Sequence, residues 1–237
     1  MLRPTPHSTV AVAIVLAMAL CPPATSGPLK GKVKKSIYYS PAENFSLPVP
    51  KGDGSDWAGF VGVHTHEGYA TDGAMGVVSF ADEFGKVLGI GFLLAHEQAL
   101  PALADTTQTF VLIEEWIRQF ALPNFFSSAS TGSRVVRVDE IRFAGAPAAL
   151  ALVNIPGGST IAVVTDGKQR TLDSRRGLLV FVRDGYVYML YNETLPRGEA
   201  LADSVNALTL NLDTLVRAQL EPFYDTIRFS AGGKPTR

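Results

Sequence analysis

His64, Thr65 and His66 are the residues whose types and spacing come nearest to chemistry. In an extended strand alternate side chains point to one face, so both imidazoles can address one ion. Imidazole is a common ligand of zinc, copper and nickel. Glu67, Asp72 or His96 would complete a coordination set if the fold brought one of them near. The spacing fixes no third ligand, and an exposed polar strand end accounts for the same pattern. His64, His66 and His96 are therefore candidate ligands for a divalent transition metal, and no other cofactor is predicted.

A second group is cationic. Lys168, Arg170, Arg175 and Arg176 fall in the polar stretch Asp166 to Arg176 and could hold an anionic ligand or partner. Asp166 and Asp173 dilute that charge, and the solvation of a surface loop explains it equally well. Nucleophilic catalysis finds less support. Beyond Cys21 the chain has no cysteine and no G-x-S-x-G elbow, and two of its three histidines there are near neighbours. Gly157-Gly158-Ser159-Thr160 lacks the lysine of a phosphate loop and reads as a turn. Gly89-Ile90-Gly91, inside an apolar run, marks a bulge or a close approach by a neighbour. Trp57, Tyr38 and Tyr39 suit positions at the core's edge. No convergent catalytic set emerges, and the reading leans away from an enzyme.

The N-terminus points to export. Arg3 precedes an uninterrupted apolar run, Val10 to Leu20, which matches a signal-peptide core and is too short to span a bilayer. Ala24-Thr25-Ser26 supplies the small residues of a cleavage site, so residues 1–26 are expected to be a signal peptide and the product periplasmic or secreted. Cys21 admits another outcome, acylation as the first residue of a lipoprotein, although Leu20 is large for the position before it. Without residues 1–26, 20 basic side chains face 22 acidic ones. The balance argues against nucleic acid, and for a membrane only if Cys21 carries a lipid. The partner is then an unknown protein or small molecule in the envelope or outside the cell.

These residues need elements to position them. Gly27 to Lys35 reads as a basic linker, with a weak contact between its four lysines and anionic lipid as the alternative, and one domain is expected over residues 36–229, with a flexible tail at 230–237. Ile37 to Tyr39 and Phe45 to Leu47 flank a turn, and Ala58 to His66, Ala74 to Phe80 and Lys86 to Leu94 form an antiparallel meander. An amphipathic helix, about 105–122, follows, capped near Asp105 and ended by Pro123. Arg134 to Phe143 shifts its apolar phase, which suggests a bulge near Asp139-Glu140. Ala149 to Ile155 and Ile161 to Val164 are further strands. Asp184-Gly185 then closes a hairpin that opposes Arg183 to Tyr186 and Leu179 to Leu190. Both faces of that hairpin are apolar, so it belongs at the centre of a sheet covered on both sides. A last helix, 204–221, is expected to end at Pro222.

The order of elements, with YYSPAENFSLPVP, WIRQFALPNFF, the GAPA turn, the LLVFVRDGYVYMLY hairpin and a C-terminal helix, resembles the PsbP/DcrB-like superfamily. The resemblance implies an α+β fold, a three-layer α/β/α sandwich on a largely antiparallel sheet with the hairpin 178–191 at its centre. It carries no shared catalytic motif, and it implies an exported accessory or binding protein without a known reaction.

Overall fold

In the computed structural model the residues described are 30–55, 57–70, 73–83, 86–95, 106–126, 132–157, 162–165, 168–171, 174–194 and 217–230. Two antiparallel sheets dominate. The smaller has four strands, β1 (Lys32–Lys34), β2 (Ile37–Tyr39), β3 (Phe45–Pro48) and β13 (Arg228–Phe229), in that order. The larger contains β4 (Val63–Tyr69), β5 (Met75–Asp82), β6 (Val87–Leu94), β7 (Arg134–Phe143), β8 (Ala146–Ile155), β11 (Ser174–Arg183) and β12 (Tyr186–Thr194). Its order is β4-β5-β6-β12-β11-β8-β7, and β9 (Ala162–Thr165) pairs separately with β10 (Lys168–Thr171).

β11 and β12 hold the middle of the larger sheet, joined by Asp184-Gly185, where both residues have positive φ. Such a turn matches the twist of the strands and sets one register, with Arg183 opposite Tyr186 and Leu179 opposite Leu190. The alternation then separates two cores. Leu178, Val180, Val187, Met189 and Tyr191 belong to one, and Leu179, Phe181, Tyr186, Tyr188 and Leu190 to the other.

The covers of these cores correct the expected architecture. Helix α1 (Thr106–Trp116) covers the first face with Ile113 and Trp116. The second face is not roofed by a helix alone. Tyr38, Phe45 and Leu47 of the small sheet share it with Leu220, Phe223 and Ile227 of helix α2 (217–226) and the residue following it. Tyr38 of β2 and the alternate residues Phe45 and Leu47 of β3 turn apolar side chains to that face, which makes a second sheet the natural lid. The fold of the described residues is thus sheet-dominated, with helices α1 and α2 as partial covers, and is not a three-layer α/β/α sandwich.

Four local expectations also change. Lys32 to Lys34, within the stretch expected to be a linker, form β1 through a two-residue turn at Lys35-Ser36. Pro123 does not end the first helix, which continues as a wider π-helical segment, Ile117–Phe126, with the proline inside it. Proline normally clashes with the carbonyl four residues back, and a wider winding relieves that contact. Pro222 lies within α2, exposed. A proline inside a helix costs about 3 kcal/mol, whereas burying Leu220, Phe223 and Ile227 gains roughly 1.5–3 kcal/mol each. The irregularity in β7 lies between Val135 and Arg137, leaving Val136 exposed. The phase shift read as a bulge at Asp139-Glu140 is instead an ordinary change of face, Val138 serving one core and Ile141 the other.

Candidate functional site

The register of the large sheet lines up one polar row on the face covered by α1. His66 opposes Ser79, Ser79 opposes Gly89, Gly89 opposes Tyr191 and Tyr191 opposes Leu178. A parallel row runs His64, Ala81, Val87, Glu193, Arg176 and Val153. The short side chains of β5 and β6 leave room for a large one from β12. The ring of Tyr191 lies over Gly89, where a Cβ would overlap it, and its hydroxyl hydrogen-bonds with Ser79.

Beside that tyrosine, Arg176 donates to Glu193 at 3.2 Å, and the glutamate side chain has no exposure. The guanidinium also sits 5.7 Å from the centre of the Tyr191 ring. Burial pushes the Tyr191 phenol up from its ordinary value, opposed by the Ser79 hydrogen bond and the Arg176 charge. The phenol is therefore a neutral hydrogen-bonding group. On the opposite face Asn192 accepts from the Gly177 amide at 3.2 Å and donates to Gln219 of α2 at 2.8 Å. Adjacent residues of β11 and β12 thus anchor polar contacts on both sides of the sheet.

A second polar contact joins the two sheets. The hydroxyls of Tyr38 and Tyr69 meet in a short hydrogen bond inside the core. Burial raises both phenols well above their ordinary value, and the Glu67 charge adds to the effect. Glu67 itself accepts from the Gly31 amide at 3.3 Å.

The residues singled out from sequence are dispersed. His64 and His66 lie on the exposed edge strand β4, on one face, both exposed. His96 and Cys21 lie outside the described residues. Lys168 and Arg170 belong to β10, while Arg175 and Arg176 are in β11, so the short β10 and the start of the long β11 replace much of the expected loop. Arg176 is turned to Glu193, and Arg175 is half-buried. Arg183, at the hairpin turn, donates to the Tyr224 hydroxyl at 3.0 Å and lies 4.8 Å from the centre of the Phe229 ring. Among the described residues no three potential metal ligands gather.

Sequence reasoning missed the roles of Ser79, Tyr191 and Glu193. The Asp-Gly turn alone implies that Arg176 opposes Glu193, so that signal was present. The Ser79 contact depends on β12 lying beside β6, a long-range pairing that local patterns do not specify.

No family model matches the chain, and no curated protein matches it. Among solved structures, the cyanobacterial PsbP of Synechocystis sp. PCC 6803 aligns with 87% of this chain and 100% of its own, at 12% identity and a TM-score of 0.39. A mutant of the protein Mog1 aligns with 85% of this chain and 96% of its own, at 10% identity and a TM-score of 0.42. The Ran-binding protein Mog1p of Saccharomyces cerevisiae covers the same shares at 11% identity and a TM-score of 0.38. These neighbours are PsbP-like and Mog1 proteins. At such scores the likeness is too slight to carry an argument about function.

Proposed function

We propose that this chain is an exported, non-enzymatic accessory or binding protein whose buried polar groups serve its architecture. One observation carries the reading. The Arg176–Glu193 pair, the most buried ion pair among those described, is packed inside the core against the ring of Tyr191. A buried pair of this kind contributes little net stability but is costly to break on one side. The apolar run Val10 to Leu20 and Ala24-Thr25-Ser26 support export.

Two measurements test this. Mass spectrometry of the mature N-terminus should find free Gly27; acylated Cys21 would make the protein a lipid-anchored envelope component, and an intact Met1 would end the export reading. Arg176→Met with Glu193→Leu should fold and complement a deletion strain. A folded double variant that fails to complement would argue that the pair performs chemistry.

A second reading rests on His64 and His66, both exposed on the same face of β4. They can chelate a divalent transition metal, which would make the chain a metal carrier or a metal-dependent protein. Equilibrium dialysis of untagged protein against copper, nickel or zinc decides it: no uptake, or uptake unchanged in His64→Ala, removes the reading.

A further inference from the structure

The outer face of the small sheet is cationic in a chain that is otherwise slightly acidic. Its register puts Lys32, Tyr39, Ser46 and Arg228 in one row across β1, β2, β3 and β13. Lys34, Ile37 and Pro48 form the row beside it. The other parity, Tyr38, Leu47 and Phe45, is buried against the large sheet, so both rows point away from the core. Lys30, Lys32, Lys34, Lys35 and Arg228 are all exposed. Tyr39 between them is 44% exposed, and Val33 at the sheet's edge 62%. Among the described residues none of these five cations makes a side-chain hydrogen bond or ion pair, whereas Arg118, Arg137, Arg176, Arg183 and Arg217 each have a carboxylate partner. Acids do adjoin the face. Glu67 of β4 accepts from the Gly31 amide between Lys30 and Lys32, Glu43 is in the β2–β3 connection and Asp225 precedes β13, but no acid takes an outward strand position in the small sheet.

We infer that this face is a docking surface for an anionic phospholipid bilayer. Net charge concealed it, because the acids that balance the chain lie elsewhere. The occupant follows from the chemistry. Four of the five cations are lysines, point charges on flexible stems that suit a fluid array of headgroups better than a fixed carboxylate geometry. An exposed tyrosine among them, Tyr39, suits the amphipathic depth of a bilayer interface. This inference goes beyond the accessory reading and holds for a free Gly27 terminus as well as for an acylated Cys21.

The test is co-sedimentation of the full processed protein with vesicles of phosphatidylcholine, with and without one-third phosphatidylglycerol. Binding is expected to the anionic vesicles at about 50 mM salt and to fall steeply near 500 mM, as screening shortens the reach of the charges. Each lysine should contribute about fivefold, so Lys32→Gln/Lys34→Gln should lose roughly 25-fold and Lys32→Glu/Lys34→Glu more. Arg142→Glu, on the exposed edge of the other sheet, should bind as the parent does. Thermal midpoints equal to the parent's would place the losses at the surface. Equal binding to neutral vesicles, or binding unchanged in both lysine pairs, overturns the inference. So does retention on heparin without binding to anionic vesicles, which would reassign the face to another polyanion.

Discussion

Arg176 and Glu193 show how much a single residue can be asked to hold. Both charges have left bulk water, and their attraction offsets a desolvation cost of several kcal/mol per ion. Arg176→Met should therefore destabilise the fold by about 3–5 kcal/mol, because Glu193 is then buried without a counterion. Arg176→Met with Glu193→Leu should recover most of that loss. Urea unfolding of both variants measures the difference, and a double variant no better than the single one would refute the pairing. Gly89 carries a related expectation. The Tyr191 ring occupies the space a Cβ would need and is itself buried, so it has little room to yield. Gly89→Ala should cost about 1–3 kcal/mol, the usual range for overpacking. Gly89→Ala in a Tyr191→Leu background should cost clearly less, and an equal cost would mean the ring is not the obstacle.

At the scale of elements, the turns decide which pairings were readable. Asp184-Gly185 announces a hairpin because aspartate and glycine tolerate positive φ, and the register of nine residue pairs follows from it. Lys35-Ser36 makes the same kind of turn with neither signal, at φ of 52° and 57°, in a stretch whose basic, Gly- and Pro-containing composition reads as linker. Left-handed backbone at non-glycine residues costs roughly 1 kcal/mol each, and here the strand pairing offsets it. The Arg176–Glu193 contact was legible through the hairpin, whereas the Ser79–Tyr191 contact and the second sheet were not. They depend on strands far apart in sequence, β12 with β6 and β13 with β3, and no local period encodes such neighbours. The helices misled in another way. Local rules stop them at Pro123 and Pro222, and tertiary burial carried both onward. Lys35→Asn with Ser36→Gly should accordingly stabilise the protein by about 1–2 kcal/mol, read as a higher urea midpoint at unchanged slope. A lower midpoint would mean that the side chains of Lys35 or Ser36 do something the backbone does not require.

For the whole molecule the question is what joins its two sheets, and tyrosine hydroxyls do much of it. Tyr38 of β2 meets Tyr69 of β4, and Tyr188 of β12 donates to the Asn44 carbonyl before β3, at 3.4 Å. Burial raises the phenols of Tyr38, Tyr69, Tyr186, Tyr188 and Tyr191, desolvation being the largest cause in each. The consequence for stability has a definite sign. A folded value above the unfolded value of about 10 means the unfolded chain releases its proton first as pH rises. The contribution is therefore whole below pH 10 and declines above it, by about 1.4 kcal/mol per pH unit for each phenol still protonated in the fold. Unfolding free energies at pH 8 and 9 should thus differ little on account of the tyrosines, and the fall between pH 10 and 11 should be steep. Replacing Tyr38 and Tyr69 together by phenylalanine removes two of the phenols and leaves neither hydroxyl unpaired. The slope of that variant between pH 10 and 11 should be shallower by about 2 kcal/mol per pH unit. An unchanged slope would show that these phenols ionise in the folded state as readily as in the unfolded one, and that the joint between the sheets is not closed to water.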